Sequence, residues 1–170
     1  MPMGLAPKTR ILIAVHKEER MERSLSGHDL AVVKTTNQAR ALLEAEEFGL
    51  VILGVHFDES QMFSLLGDIR AHARYRKVPI LCVMGVRGRI LTDVAIEGLD
   101  HAVKAMQANG FLNLERFPDS EEGDARIRRI VDYLILLDGE LQQIAGEERV
   151  VPVRGKLLGE PRRRASDSAG

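Results

Sequence analysis

Short apolar runs alternate along the chain with segments of helical periodicity. Four runs, at residues 11–15, 30–33, 50–53 and 79–83, are continuously apolar. Continuous rather than alternating apolar residues are typical of strands buried on both faces of a sheet. A fifth strand is predicted at residues 111–114, after Asn109 and Gly110, a pair that ends helices because both tolerate a left-handed backbone. The pattern predicts five parallel strands.

The segments between the runs carry apolar residues at helical spacing behind candidate caps, namely Asn37, Ser60 and Thr92. The first crossover is short, with residues 17–25 as its helix. Parallel strands need crossover connections, and right-handed crossovers place helices on both faces of the sheet. The chain is therefore predicted to form a doubly wound α/β domain.

The last helix has the most regular spacing. Apolar residues at heptad a and d positions run through it, and Val131 and Ile135 widen the stripe. The stripe residues are Ile127, Ile130, Leu134, Leu137, Leu141 and Ile144. Two interpretations stay open: the first half packs on the sheet while the second frays past Gly139, or the stripe forms a two-helix dimer seam.

Composition sets the domain count and the class of protein. The 170 residues suit one domain and are 45% apolar and 29% charged, which predicts an ordinary globular core. We predict an N-terminal arm at 1–8, a domain at 9–138, and a helix extension with a flexible basic tail at 139–170. The 24 basic and 25 acidic residues balance, so overall charge indicates neither nucleic acid nor an anionic membrane as a partner.

Cys82 is the only cysteine and lies in an apolar run, so a buried, unreactive thiol is expected. No segment approaches the about 20 apolar residues of a membrane span, and the start has no signal-peptide pattern. A cytoplasmic location is the expectation.

Residues 64–81 resemble the third helix and fourth strand of response-regulator receiver domains. The stretch contains an Ile69-Arg70 pair at a helix end and a basic loop that leads to Pro79, which opens a buried strand. The resemblance covers roughly residues 9–137. It implies the receiver fold, with strand order 2-1-3-4-5.

The family's chemistry is phosphorylation of an Asp at the end of the third strand. It uses acidic Mg²⁺ ligands after the first strand, a Thr or Ser after the fourth and a Lys after the fifth. In this chain every one of those positions holds another residue: Val15, His16 and Lys17 after the first strand, Gly54 at the nucleophile, Met84 at the Thr/Ser, and Leu114 or its neighbour Glu115 at the Lys. The resemblance implies a pseudo-receiver with no catalytic residue and no cofactor.

Other acids stand near the same edge of the predicted sheet, namely Glu18, Glu19, Asp58 and Glu59. Acids at helix N-termini stabilise the helix dipole, so a solvated, structural role competes with a chemical one. His16 and His56 could approach each other there, but two histidines without fixed spacing do not define a metal site.

Gly85, Arg87 and Gly88, taken with Gly98, resemble the ATP-phosphate loop of universal stress proteins. Nucleotide binding is the alternative function, although Leu99 replaces the expected hydroxyl residue. Arg126, Arg128 and Arg129 with the tail arginines raise the question of nucleic acid, but no aromatic platform accompanies them. Ser166 follows a basic tripeptide that fits a kinase site.

The function expected from the sequence is a phosphorylation-independent signalling or protein-interaction module. In receiver domains, partner proteins bind the face formed by the fourth helix, the fifth strand and the fifth helix. By resemblance, that face maps to residues 92–137, with candidate contacts at His101, Lys104, Phe111, Asn113, Arg128 and Tyr133. A protein partner and a possible homodimer are the predicted assemblies.

Overall fold

The computed structural model describes residues 7–17, 19–85 and 92–150, with side chains as far as residue 144. The described residues form five strands, β1 (Arg10–Ala14), β2 (Asp29–Val32), β3 (Leu50–Gly54), β4 (Ile80–Met84) and β5 (Gly110–Asn113). The helices are α1 (Glu19–Ser24), α2 (Thr36–Ala45), α3 (Met62–Ala71), α4 (Asp93–Ala105) and α5 (Glu121–Val150). Short 3₁₀ turns follow α3 at Ala73–Tyr75 and β5 at Leu114–Arg116.

The five strands are parallel and lie in the order β2-β1-β3-β4-β5. This confirms the predicted doubly wound fold and its strand order. The predicted strand ends were off by one residue in places: β5 begins at Gly110, and Leu114 opens a 3₁₀ turn instead of ending the strand.

Both faces of the sheet are covered, which explains why the strands are continuously apolar. Alternate residues such as Leu12, Val51 and Cys82 pack against α2, α3 and α4. Their neighbours, such as Ile11 and Ile52, pack against α1 and α5. Because successive side chains point to opposite faces, a strand buried on both sides must be apolar at every position. Cys82 is buried as predicted, and burial raises the pKa of its thiol to about 12.

The helix caps agree with the sequence only in part. Thr92 is the predicted cap of α4, and its Oγ1 accepts a hydrogen bond of 3.2 Å from the N–H of Ala95. The caps of α2 and α3 are corrections. Thr35, and not Asn37, caps α2. Gln61, and not Ser60, precedes α3, because Ser60 has a left-handed backbone (φ 69°) and belongs to the preceding turn.

The Ile69-Arg70 pair connects the core to two loops. Ile69 is buried under the sheet, and Arg70 donates hydrogen bonds to the carbonyls of Val78 (2.7 Å) and Gln107 (2.7 Å). One guanidinium thus joins the loop before β4 to the loop before β5, since its five donors point in fixed directions.

The core-facing residues of α5 differ from the heptad row. Ile127, Val131 and Ile135 are buried against the sheet, whereas Ile130 and Leu134 are only half-buried. The helix continues beyond Gly139 to Val150. The later heptad residues are exposed, namely Leu137, Leu141 and Ile144. Ile130 and Leu134 of the heptad row also pack against this core, but Val131 and Ile135, which were assigned only to the edge of the stripe, form the more deeply buried contact.

Candidate functional site

A cavity of about 660 Å³ opens at the carboxyl ends of the strands. Doubly wound folds place their sites at this edge. Residues that follow β1, end β3, or follow β4 and β5 line it: Val15, His16, Lys17, Gly54, Val55, His56, Gly85, Leu114 and Glu115. The described strand ends, where the receiver resemblance places a phosphorylation site, therefore surround a cavity.

The four degenerate positions at the strand ends are all buried. Val15, Gly54, Met84 and Leu114 lie at neighbouring strand ends, with Gly54 paired to Val83 and Met84 paired to Asn113. Val15, Gly54 and Leu114 line the cavity, and Met84 does not. Apolar side chains thus stand where the receiver resemblance would place metal ligands and charge partners.

Gly54 and Val15 fit each other closely. A Cβ atom at Gly54 would lie 3.1 Å from Cα and 3.2 Å from Cβ of Val15. Such separations are tighter than ordinary van der Waals contact, so a side chain at position 54 would require Val15 to move. Position 54 has no side chain, and the neighbouring Val15 packs close to the space that a side chain there would occupy.

The acids that the sequence placed near this edge of the sheet do not all line the cavity. Asp58 does not line the cavity; its Oδ2 accepts a hydrogen bond of 2.8 Å from the N–H of Thr36 at the start of α2. This bond lowers the pKa of Asp58. Asp58, Glu59 and Ser60 all have positive φ, and this left-handed turn directs the loop to α2. Glu19 lines the cavity, and Glu18 lies outside the described residues.

His16 and His56 line the same cavity and are exposed. Among residues 7–17, 19–85 and 92–150, no group of three or more His, Cys, Asp or Glu side chains could hold a metal ion. The two imidazoles remain as hydrogen-bonding groups at the mouth, each with one donor and one acceptor.

One wall of the cavity depends on Arg20, which the sequence reading did not single out. Its guanidinium donates to the carbonyls of Leu114 (3.3 Å), Phe117 (3.0 Å) and Pro118 (2.6 Å), which lie between β5 and α5. These partners are 94 to 98 residues away along the chain, so no local pattern could have identified the contact.

Asp124 in the first turn of α5 completes this wall. The carboxylate is buried, lies 3.5 Å from Nε of Arg20 and is hydrogen-bonded to Arg23. The hydrogen bond from Arg23 lowers the pKa of Asp124, with smaller contributions from Ser24 and Arg20. Two arginines of α1 therefore hold the loop before α5 against the cavity.

The predicted interaction residues separate into two groups. His101 and Lys104 are exposed on α4, Phe111 and Asn113 are half-buried on β5, and Tyr133 is exposed on α5. Arg128 is a correction: its Nε donates a hydrogen bond of 2.9 Å to the Ser24 carbonyl. It therefore lies on the α1 side of α5 and not on the face with α4 and β5.

The proposed phosphate loop is only partly within the described residues. Gly85 lines the cavity, whereas Arg87 and Gly88 lie outside the described residues. Gly98 lies in the second turn of α4, where its N–H is past the four that a helix leaves unpaired at its start. A phosphate loop that uses Gly98 does not fit this geometry.

Of the three arginines at positions 126, 128 and 129, two contact other parts of the chain. Arg128 contacts Ser24, and the guanidinium of Arg126 lies 4.9 Å from the centre of the Phe117 ring. Ser166 and the tail arginines lie outside the described residues.

Comparison with known proteins gives similarity in structure only. No protein-family model matches the sequence, and no curated protein is similar to it. A response regulator of Chloroflexus aurantiacus is 16% identical with a TM-score of 0.60, covering 76% of this chain and 98% of that one. NtrX of Brucella abortus is 15% identical with a TM-score of 0.67, and the match covers 91% of this chain but 32% of NtrX.

The receiver domain of a histidine kinase from Syntrophus aciditrophicus is 18% identical with a TM-score of 0.57, covering 75% of this chain and 89% of that one. At these identities the similarity is one of fold. The chain thus has the fold of response-regulator receiver domains. None of the helices in the described part of the chain is long and apolar enough to cross a membrane.

Proposed function

We propose that this chain is a signalling or protein-interaction module of the receiver type that works without phosphorylation and without enzymatic activity. The contact between Gly54 and Val15 is the observation that supports it, because position 54 has no acceptor side chain and a Cβ atom there would press against Val15. Without carboxylates at positions 15 and 16 and a Lys at 114, Mg²⁺ and phosphoryl oxygens lack their charge partners.

Beryllofluoride with Mg²⁺ tests this proposal, because it mimics a phosphoryl group on an Asp. Titration calorimetry is expected to show no saturable heat with this chain, while a functioning receiver measured in parallel binds. The Gly54→Asp variant is also expected not to bind, since Val15 crowds its Cβ and the metal ligands are still missing. Saturable, Mg²⁺-dependent binding to the unaltered chain would contradict the proposal.

The same module is proposed to form a homodimer through α5. Apolar residues project from the helix side that faces away from α1: Tyr133 (63% exposed), Leu137 (38%), Leu141 (59%) and Ile144 (54%). They are spaced by four, four and three residues, which keeps them on one side of a helix. The half-buried Ile130 and Leu134 continue the same side towards the sheet. A second copy of α5 would cover this stripe with a matching one, as in an isologous two-helix contact.

Light scattering after gel filtration measures this assembly directly. The full chain is expected at about twice 18.9 kDa, and Leu141→Glu is expected to shift it to the single-chain mass because a charge would enter the seam. Leu136→Glu is the matched control, since Leu136 is exposed on another side of α5, about 140° around the helix from Leu141. A single-chain mass for the unaltered protein, or equal effects of both variants, would exclude the α5 seam.

A further inference from the structure

The cavity at the strand ends has a size and a lining that a phosphorylation site does not explain. Its volume of about 660 Å³ lies within the range of small-molecule sites, roughly 300–1,000 Å³. We propose that it binds a small, mainly apolar, uncharged organic molecule. This inference rests on the proposed loss of phosphoryl chemistry at the same site.

The interior of the cavity is apolar. Val15, Val83 and Leu114 are buried at its base around Gly54, and Met21 of α1 is fully buried beside them. Phe117 and Pro118 form a side wall from the loop before α5. Water gains few hydrogen bonds from such a surface, so an apolar ligand that displaces it binds favourably.

The absence of a charged residue at the base distinguishes the cavity from a phosphate or metal site. Of the degenerate receiver positions that line it, Val15, Gly54 and Leu114 are buried, whereas His16 and Lys17 are exposed. Gly54 has no side chain and Val15 lies against it, so these buried positions place no charged side chain at the base. An ionised group placed against it would lose hydration without gaining a partner.

Among the described lining residues, which do not include 18 or 86–91, the charges balance each other, and this favours an uncharged ligand. The lining contains three cations, Lys17, Arg20 and Arg23, and three anions, Glu19, Glu115 and Asp119. Arg20 is engaged by the carbonyls of the wall, and Arg23 by Asp119 and Asp124. Opposite charges at close range cancel in the field that a ligand meets, so neither anions nor cations are selected.

Two histidines at the cavity supply hydrogen bonds that orient the ligand. His16 follows β1, His56 follows β3, and both are exposed at the cavity. Each imidazole offers hydrogen bonds to a hydroxyl or a carbonyl group on the ligand. An apolar body with one or two such groups fits the pattern of small-molecule sites, in which a few polar groups set the orientation.

Gly85 provides the variant that tests the site without disturbing the core. It lines the cavity directly after β4, it is exposed, and a Cβ atom built on it meets nothing within 4 Å. A phenylalanine at position 85 adds a large side chain at the lining of the cavity, where its Cβ meets no atom of the described residues within 4 Å. Gly98 is the matched control, because it is also exposed with nothing within 4 Å of its Cβ, but it lies on α4 and not in the cavity.

The probe is N-phenyl-1-naphthylamine, an uncharged apolar dye whose fluorescence rises in apolar surroundings. We expect saturable binding of one dye per chain to the full-length protein. Gly85→Phe is expected to weaken binding at least tenfold, and Gly98→Phe is expected to leave it unchanged. Anilinonaphthalene sulfonate, an apolar dye with a negative charge, is expected to bind at least tenfold more weakly than the uncharged dye.

The outcomes separate this inference from the proposed function. Absence of saturable dye binding, equal binding by the Gly85→Phe and Gly98→Phe variants, or preference for the sulfonate would each overturn the ligand site. Loss of dye binding in Leu141→Glu with retention in Gly85→Phe would assign the dye to the α5 stripe and also overturn it. These results do not depend on beryllofluoride. Binding of beryllofluoride would contradict the proposed function, and the dye results would contradict only the ligand site.

Discussion

Replacing Gly123 with alanine is expected to lower the free energy of unfolding by about 3 kcal/mol or more. A Cβ atom at Gly123 would lie 1.8 Å from the carbonyl oxygen of Pro118, far inside van der Waals contact. That oxygen accepts hydrogen bonds from the N–H of Ser120 (2.9 Å) and from Arg20 (2.6 Å), so it cannot move without breaking both. The first turn of α5 and the wall of the cavity would be displaced together.

Gly139 is the matched control in the same helix. A Cβ atom there meets nothing within 4 Å, so Gly139→Ala is expected to raise the free energy of unfolding by up to about 1 kcal/mol. Urea unfolding followed by circular dichroism measures both variants against the unaltered chain. A loss for Gly123→Ala that is no larger than the change for Gly139→Ala would show that the Pro118 carbonyl does not restrict position 123.

Replacing Asp124 with asparagine is expected to cost about 2 kcal/mol of stability at pH 7, the scale of hydrogen bonds to charged groups. The carboxylate is buried and hydrogen-bonded to Arg23 and near Arg20, and these contacts lower its pKa in the folded state. An Asp with a depressed folded pKa stabilises the protein above its unfolded value of about 3.9. That stability is lost as the pH falls below about 3.9 towards the folded pKa, and the asparagine variant has none of it to lose.

The difference in unfolding free energy between the unaltered chain and Asp124→Asn is therefore expected to shrink as the pH falls from 7 to 3. Urea unfolding at both pH values measures it. Asp119→Asn is the matched control, because Asp119 pairs with the same Arg23 but its side chain is 75% exposed, so solvent screens the pair. Equal losses for the two variants, or a difference that does not change with pH, would contradict this role of Asp124.

The strands followed from short-range pattern, whereas their order followed from the resemblance to receiver domains. A strand covered on both faces must be apolar at successive positions, and that signal is visible in the sequence without knowledge of its partners. The same local logic identified Thr92 as a cap, since a cap binds an N–H three residues away. It failed at Ser60, where three consecutive left-handed residues form a turn that composition did not indicate.

The sequence alone shows a glycine at position 54, the strand end where the receiver resemblance places the phosphoacceptor. The sequence also shows an apolar stripe in α5, from Ile127 to Ile144, that is longer than one contact with the sheet requires. It could not decide which apolar column of α5 meets the sheet, because heptad and straight-helix periods differ by only about 20° per heptad and the facing surface makes the choice.

The tertiary structure decided what surrounds the empty position. Arg20 reaches carbonyls more than 90 residues away, Arg128 faces α1, and Asp58 accepts a hydrogen bond from the N–H of Thr36 at the start of α2. Val15 closes against Gly54, and the strand ends enclose an apolar hollow. These contacts join residues that are distant in the chain, and they depend on side-chain directions that only the folded packing fixes.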